Sequence, residues 1–143
     1  MKLILFLFLF IANFDITAQV FGECDIESYK SKALSYLPKG FRLAKNYTVD
    51  GRGCRRGGEY TVILYKNVDY VIRMSAKDGG FYGMIVTLYN AKREELMTSV
   101  LEHKQFNGWT YRCKQTGIYY ISFTFKDSQS HCGGAVLGFR RRK

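Results

Sequence analysis

A glycine-rich segment in the first half of the chain carries three arginines. The segment is residues 51–58, GRGCRRGG, and its arginines are Arg52, Arg55 and Arg56. Glycine lets the backbone turn with its N–H groups exposed, and a guanidinium group makes paired hydrogen bonds with phosphate, sulfate or carboxylate. The segment lacks the Lys followed by Ser or Thr that a phosphate-binding loop requires. The three arginines are a candidate anion site, weighed against the commoner case of a solvated loop whose glycines only meet the geometry of turns.

The whole chain is basic, and a second run of cations lies at its C-terminal end. Lys and Arg total 22 against 12 Asp and Glu among 143 residues, which gives a net charge of +10. Residues 140–143, RRRK, follow directly on an apolar segment. Such a run is commonly a solvated tail, but together with the arginine segment it would attract a polyanion.

The four cysteines are Cys24, Cys54, Cys113 and Cys132. An even number in an exported chain predicts structural disulfides, and three pairings are open. We favour Cys24–Cys54 with Cys113–Cys132, which would join the N-terminal helix to the first loop and the last strands to each other. No two cysteines have the spacing of a zinc motif, so we expect no metal or other cofactor. Three aspartates in predicted turns also lack the spacing of a calcium loop: Asp50, Asp69 and Asp78.

The histidines, glutamates and cysteines of the chain form no recognisable catalytic motif. His131 follows a polar loop, residues 126–130, but proximity in sequence does not make a catalytic triad. His103 has no nucleophile beside it, and Glu94 and Glu95 would face opposite sides of a strand. Oxidised cysteines are not nucleophiles. We therefore expect no enzyme; a hydrolase would need a pocket that brings one histidine to a nucleophile.

Three aromatic residues offer a second kind of site. Trp109, Tyr111 and Tyr120 would make a sugar-stacking platform if they shared one outer face. The alternative is packing within the core and between strands, because 11 Tyr and 11 Phe must be accommodated.

The N-terminus has the pattern of a secretory signal peptide. Lys2 precedes an apolar run over residues 3–12, and Ala18 precedes a polar residue. The run is shorter than the roughly 20 apolar residues that span a bilayer. We expect cleavage after residue 18 and a secreted or periplasmic domain over residues 19–143, without a transmembrane segment; the alternative is an uncleaved membrane anchor.

One segment, residues 25–37, has the spacing of a helix. Asp25 is a suitable N-cap, Glu27 places negative charge in the first turn, and Pro38 and Gly40 end the pattern. Its single apolar stripe predicts a short amphipathic helix against a sheet, with a membrane-surface helix as the alternative.

From residue 41 onward the apolar residues recur with a period of two. With 47% hydrophobic and 16% aromatic residues the chain is too apolar to be disordered. The alternation is clearest over residues 118–125, where Tyr119, Ile121, Phe123 and Phe125 share one side. The pattern predicts an all-β, antiparallel sandwich or jelly roll of about eight strands in one domain, with a short closed barrel as the alternative. The predicted strands are 41–49, 59–66, 70–76, 84–89, 95–101, 106–113, 118–125 and 132–139.

Three phrases within residues 59–139 resemble the extracellular β-sandwiches of bacterial pre-peptidase C-terminal type. They are EYTVILYKNVDYVIRM, IVTLYNAKREEL and TGIYYISF. The resemblance implies an accessory or binding domain without catalytic residues. The helix and the four cysteines fall outside that family's pattern.

The sequence thus predicts a secreted, monomeric, non-catalytic module. Its expected ligand is an anionic glycan or another component of the cell envelope, bound by Arg52, Arg55 and Arg56. Because the chain is predicted to be exported, nucleic acid is not an expected partner. The alternative is a small secreted effector or inhibitor that docks to a protein, which a large exposed apolar patch would favour.

Overall fold

A computed structural model of the protein describes residues 24–51, 56–77, 80–81, 83–126 and 131–143. The predicted signal peptide, residues 1–18, lies outside the described residues. So do Arg52 and Arg55, while the backbone of Arg56 begins the second strand. Among the described residues no helix is both long and apolar enough to cross a membrane.

The predicted helix is present as α1, Ile26–Ser35. The Asp25 carboxylate accepts a hydrogen bond from the Ser28 N–H at 3.2 Å and so caps the first turn, as its position predicts. The helix ends two residues earlier than expected. The Tyr36 N–H instead bonds back to the Ala33 carbonyl at 3.1 Å, in a tighter closing turn.

The strands form two antiparallel sheets of four strands each, which confirms the predicted all-β sandwich. The first sheet has the order β1-β10-β3-β8, the second has β2-β9-β4-β5, and β6 and β7 form a small hairpin. This alternation of strands between the two sheets is a jelly-roll arrangement. The bounds are β1 Arg42–Asp50, β2 Arg56–Leu64, β3 Val68–Ser75, β4 Met84–Tyr89, β5 Glu95–Thr98, β6 Val100–Leu101, β7 Lys104–Gln105, β8 Gly108–Arg112, β9 Gly117–Phe125 and β10 Cys132–Arg141.

The described chain has ten strands where eight were expected, and buried Ser99 explains part of the difference. Its N–H donates to the Val86 carbonyl at 3.0 Å, and its hydroxyl accepts from the Val86 N–H at 3.0 Å. The Ser99 hydroxyl thus takes the place of a backbone carbonyl as the hydrogen-bond acceptor for β4. It divides the predicted strand 95–101 into β5 and β6, and β7 then closes the hairpin.

The hydrophobic core lies between the sheets. Tyr119, Ile121, Phe123 and Phe125 of β9 are all buried in it, as the alternation predicts. The outer face of the first sheet is covered by α1, which buries both faces of β10. Gly134 makes this possible, because a Cβ there would lie 2.5 Å from the Lys30 backbone nitrogen.

Candidate binding groove

The disulfide joins Cys24 to Cys132, with 6.1 Å between their Cα atoms. The predicted pairing of Cys24 with Cys54 and of Cys113 with Cys132 is therefore wrong. Helix α1 packs on β10, so Cys24, two residues before the helix, comes to lie beside the first residue of that strand. Cys54 lies outside the described residues.

Cys113 is a buried free thiol. Its Sγ lies 3.1 Å from the Gln115 carbonyl oxygen and 3.5 Å from the Tyr119 hydroxyl. Burial, together with the neighbouring thiol, raises the pKa of Tyr119. Cys113 and Tyr119 are both buried, so these contacts close the turn between β8 and β9 against the core.

The basic C-terminal end is part of the fold and not the solvated tail that its composition suggests. Strand β10 continues to Arg141, two residues beyond the predicted end. Arg140 Nη2 and Arg142 Nε bond to Asp69 Oδ2 at 3.0 and 3.1 Å, and Arg112 Nε bonds to Asp69 Oδ1 at 3.1 Å. Burial by itself would raise the pKa of Asp69, but the hydrogen bonds and charges of Arg140 and Arg142 lower it below its ordinary value. Both carboxylate oxygens of Asp69 are thus hydrogen-bonded to guanidinium groups, so Asp69 is unsuited to bind calcium.

A groove of about 580 Å³ opens between the two sheets where β1 approaches β2. Its size falls in the range of about 300–1,000 Å³ found for ligand sites. Its apolar floor combines strands from both sheets. The floor residues are Val62, Val68, Tyr70, Leu137 and Phe139.

A β-bulge in β1 forms one wall of this groove. The register of β1 on β10 shifts between Leu43, opposite Gly138, and Lys45, opposite Leu137, so Ala44 has no partner. Ala44 and Lys45 both line the groove. Bulges re-aim side chains at the edges of sheets, and here one directs consecutive residues to the opening.

The groove carries cations and, among the described residues that line it, no acidic group. The cations are Lys45, Lys66, Arg141 and Arg142. Arg142 is bound to Asp69, whereas the other three are exposed and make no ion pair with a described Asp or Glu. Lys45 Nζ lies 5.4 Å from the centre of the Tyr47 ring, a cation–π contact. Three of the four cations in the groove therefore have no ion-pair partner among the described residues.

Apolar side chains extend from the groove onto the surface of the second sheet. Ile63 of β2 and Ile118 of β9 are cross-strand partners and are 56% and 47% exposed. Tyr65, which lines the groove, is 57% exposed. Exposure of neighbouring large apolar residues is a feature of binding surfaces.

The aromatic platform does not form, and the alternative of packing within the fold holds for Trp109 and Tyr111. Trp109 is 4% exposed and belongs to the core, and Tyr111 packs against the core from the first sheet. Tyr120 lies in the second sheet, with the Arg93 guanidinium 3.8 Å above its ring. Since β8 and β9 belong to different sheets, these three residues share no face.

Neither of the two histidines belongs to a catalytic site among the described residues. His131 packs on the Phe125 ring at 5.8 Å between ring centres, and the polar residues 127–130 before it lie outside the described residues. His103 is exposed in the β6–β7 turn. Over the described part of the chain, no group of three His, Cys, Asp or Glu residues could hold a metal ion.

The arginine-segment anion site remains a prediction, because the side chains of Arg52, Arg55 and Arg56 are not described. It would lie at the opposite end of β2 from the groove. Arg56 begins that strand, and six residues of strand, about 20 Å, separate it from Val62.

Sequence reasoning missed the groove, although a signal for it existed. Continuing the period of two past Phe139 places Arg141 on the same side of the strand as Leu137. Arg141 is thus a cation in the row of β10 side chains that faces the core.

No protein-family model matches the chain, and no curated protein matches it in sequence. The resemblance to pre-peptidase C-terminal domains therefore stays an expectation. The binding proposal rests on the groove itself.

Proposed function

We propose that the protein is a secreted, non-catalytic module that binds an anionic component of the cell envelope at the basic groove. The single observation that carries this proposal is that Lys45, Lys66 and Arg141 surround an apolar floor and form no ion pair with any Asp or Glu that the structure describes. Such a site gains most from a ligand that supplies the missing negative charge.

The origin of these cations favours one bound group over diffuse attraction. Lys45 comes from β1, Lys66 from the β2–β3 turn and Arg141 from the end of β10, and all three line the same groove. Like charges held together repel one another and cost stability. A phosphate, sulfate or carboxylate bound among them would relieve that repulsion. The net charge of +10 would speed the encounter at low salt.

The disulfide supports secretion. Disulfides persist in oxidising compartments and are rare in the cytosol. The Cys24–Cys132 bond also fixes α1 to the start of β10, which is the strand that supplies Leu137, Phe139 and Arg141 to the groove. The module would thus keep its groove in shape in the compartment where it meets its ligand.

A protein partner is the second candidate. The exposed Ile63–Ile118 pair beside Tyr65 favours it, because such a patch fits an apolar surface of another protein. This candidate does not use the charge of the groove, so the same variants separate the two.

The test is binding of the exported, disulfide-bonded protein to an array of anionic and neutral glycans and lipids, at low and at near-physiological salt. The groove variant is Lys45→Gln/Lys66→Gln/Arg141→Gln. A matched control, Lys39→Gln/Lys104→Gln/Lys126→Gln, removes the same charge from exposed positions outside the groove. A third protein, Arg52→Ser/Arg55→Ser/Arg56→Ser, tests the predicted arginine site.

We expect salt-resistant binding to one class of anionic ligand that falls at least tenfold in the groove variant and persists in the control. If affinity fell equally in the groove variant and the control, binding would depend only on the net charge, and the proposal would be overturned. Loss confined to the arginine-segment variant would move the site to Arg52, Arg55 and Arg56.

A further inference from the structure

We infer that the groove receives a hydrocarbon chain between the two sheets, so that its ligand is an anionic single-chain amphiphile such as a long-chain carboxylate or an alkyl phosphate. This inference rests on the proposed function and names the class of envelope component that the groove takes. It is carried by the floor of the groove, by the shape of its opening and by the position of its cations.

The floor of the groove is continuous with the hydrophobic core. Leu137 and Tyr70 belong to the core, and Val62, Val68 and Phe139 pack against it. A chain lying on this floor would extend the core of the sandwich. Each methylene moved from water to such a surface contributes favourably to binding.

The space between β1 and β2 is closed at one end and open at the other. At the closed end the Tyr60 hydroxyl donates a hydrogen bond to the Thr48 carbonyl, and the Tyr60 and Tyr47 rings lie 4.8 Å apart. At the open end, Ala44 of β1 and Ile63 of β2 line opposite sides of the groove. The two strands are thus bridged beside Tyr47 and leave an opening beside Ala44, an arrangement that suits a slender chain with a larger head group.

The core-facing rows of β10 and β1 both end in a cation at this mouth. On β10 the row runs Leu137, Phe139, Arg141, and on β1 Lys45 continues the row of buried Tyr47. Apolar groups thus lie deep in the groove and positive charges lie at its rim. This order matches an amphiphile whose chain enters first and whose anionic head remains at the surface.

The floor is poorly suited to a sugar ring. Its one hydroxyl, that of Tyr70, accepts a hydrogen bond from the Tyr65 N–H at 2.9 Å and so leaves only its own O–H and one lone pair for a ligand. Sugar hydroxyls buried there would lose water without enough partners in exchange, which is costly. An anionic glycan would therefore reach the rim but leave the floor uncovered.

The experiment is calorimetric titration of the exported, disulfide-bonded protein with inorganic phosphate, hexyl phosphate, octyl phosphate and decyl phosphate below their micellar concentrations. Octyl glucoside serves as the neutral probe of the same chain length. We expect affinity to rise by up to about fourfold per added methylene. We expect octyl glucoside to bind at least tenfold more weakly than octyl phosphate.

A filling variant tests where the chain lies. Ala44→Trp places a large ring in the groove from an exposed position, so the fold is expected to be preserved, with an unchanged unfolding midpoint. Ala91→Trp, at an exposed position in the β4–β5 turn, is the matched control. We expect Ala44→Trp to abolish the dependence on chain length and Ala91→Trp to leave it intact.

The outcomes separate this inference from the proposed function. Equal affinity for inorganic phosphate and all alkyl phosphates would overturn the chain inference and leave an anion-binding groove. Chain-length dependence that persists in Ala44→Trp would also overturn it, because the chain would then bind elsewhere. If the protein bound neither the alkyl phosphates nor any anionic member of the array, both the chain inference and the proposed function would be overturned. The cations would then serve only to prevent the edge strands from pairing with strands of other molecules.

Discussion

Asp69 and Arg142 are hydrogen-bonded, with 3.1 Å between carboxylate Oδ2 and guanidinium Nε, although 73 residues separate them in the chain. Asp69 lies near the start of β3, and Arg142 follows the end of β10. Arg140 bonds to the same carboxylate, so the residues on both sides of Arg141 are held. This arrangement fixes the end of β10 and turns Arg141 toward the groove.

Replacing Asp69 with asparagine should loosen this end of the strand. The amide keeps the shape of the carboxylate but removes the charge that three arginines share. We expect the free energy of unfolding in urea to fall by about 1.5–3 kcal/mol, the magnitude of hydrogen bonds to charged groups. Glu59→Gln, which breaks the exposed pair with Arg93, is the control and should leave stability unchanged. Equal stability of Asp69→Asn and wild type would show that the cluster does not hold the strand.

The same carboxylate should make stability depend on pH in the acid range. The pKa of Asp69 in the folded state lies below its ordinary 3.8, chiefly because hydrogen bonds from Arg140 and Arg142 outweigh the effect of burial. A lowered pKa means that the folded state binds the proton less readily than the unfolded state, so the contribution is full above about pH 5 and is lost as the pH falls through the folded pKa. Urea unfolding of wild type and Asp69→Asn between pH 2 and pH 7 should give curves that converge at low pH. A constant difference down to pH 2 would assign the effect to packing.

The Cys24–Cys132 disulfide can be tested independently of the groove. Peptide mapping without reduction should recover a linked pair of peptides containing Cys24 and Cys132. Because these residues are 108 apart, Cys24→Ser/Cys132→Ser should lower the free energy of unfolding by about 2–4 kcal/mol. Recovery of a Cys113–Cys132 peptide would contradict the structure and restore the pairing expected from the sequence.

The close approach of α1 to β10 can be tested at one glycine. A Cβ at Gly134 would lie 2.5 Å from Lys30 N, so Gly134→Ala must push the helix outward. We expect a loss of about 1–3 kcal/mol by thermal or urea unfolding, as for other overpacked sites. Gly117→Ala, where nothing lies within 4 Å of the added carbon, is the control and should change little. Similar stabilities for the two variants would show that the helix lies further from the sheet.

Local patterns were sufficient to predict the helix and most strands of this fold, but not the division of strand 95–101 at Ser99 or the β6–β7 hairpin. Alternation over residues 118–125 placed Tyr119 and Phe123 in the core, and the position of Asp25 predicted the start of the helix. Each of these patterns is set by neighbours in sequence.

The site could not be predicted in the same way, because it depends on contacts between distant parts of the chain. Its walls come from β1, β2, β3 and β10, and the order of strands in the sheets determines which of them meet. Residues 140–143 have the composition of a solvated tail, and it is distant Asp69 that binds two of their side chains. The Cys24–Cys132 bond likewise follows from the packing of α1 on β10.

The most direct test of the central claim is titration of decyl phosphate into three proteins at about 0.15 M salt, where surface charges more than about 8 Å apart are screened. The proteins are wild type, Lys45→Gln/Lys66→Gln/Arg141→Gln, and the control Lys39→Gln/Lys104→Gln/Lys126→Gln. We predict saturable binding at one site in the wild type and control, and affinity at least tenfold lower in the groove variant. Equal affinity in all three proteins would contradict the assignment of the groove as the binding site.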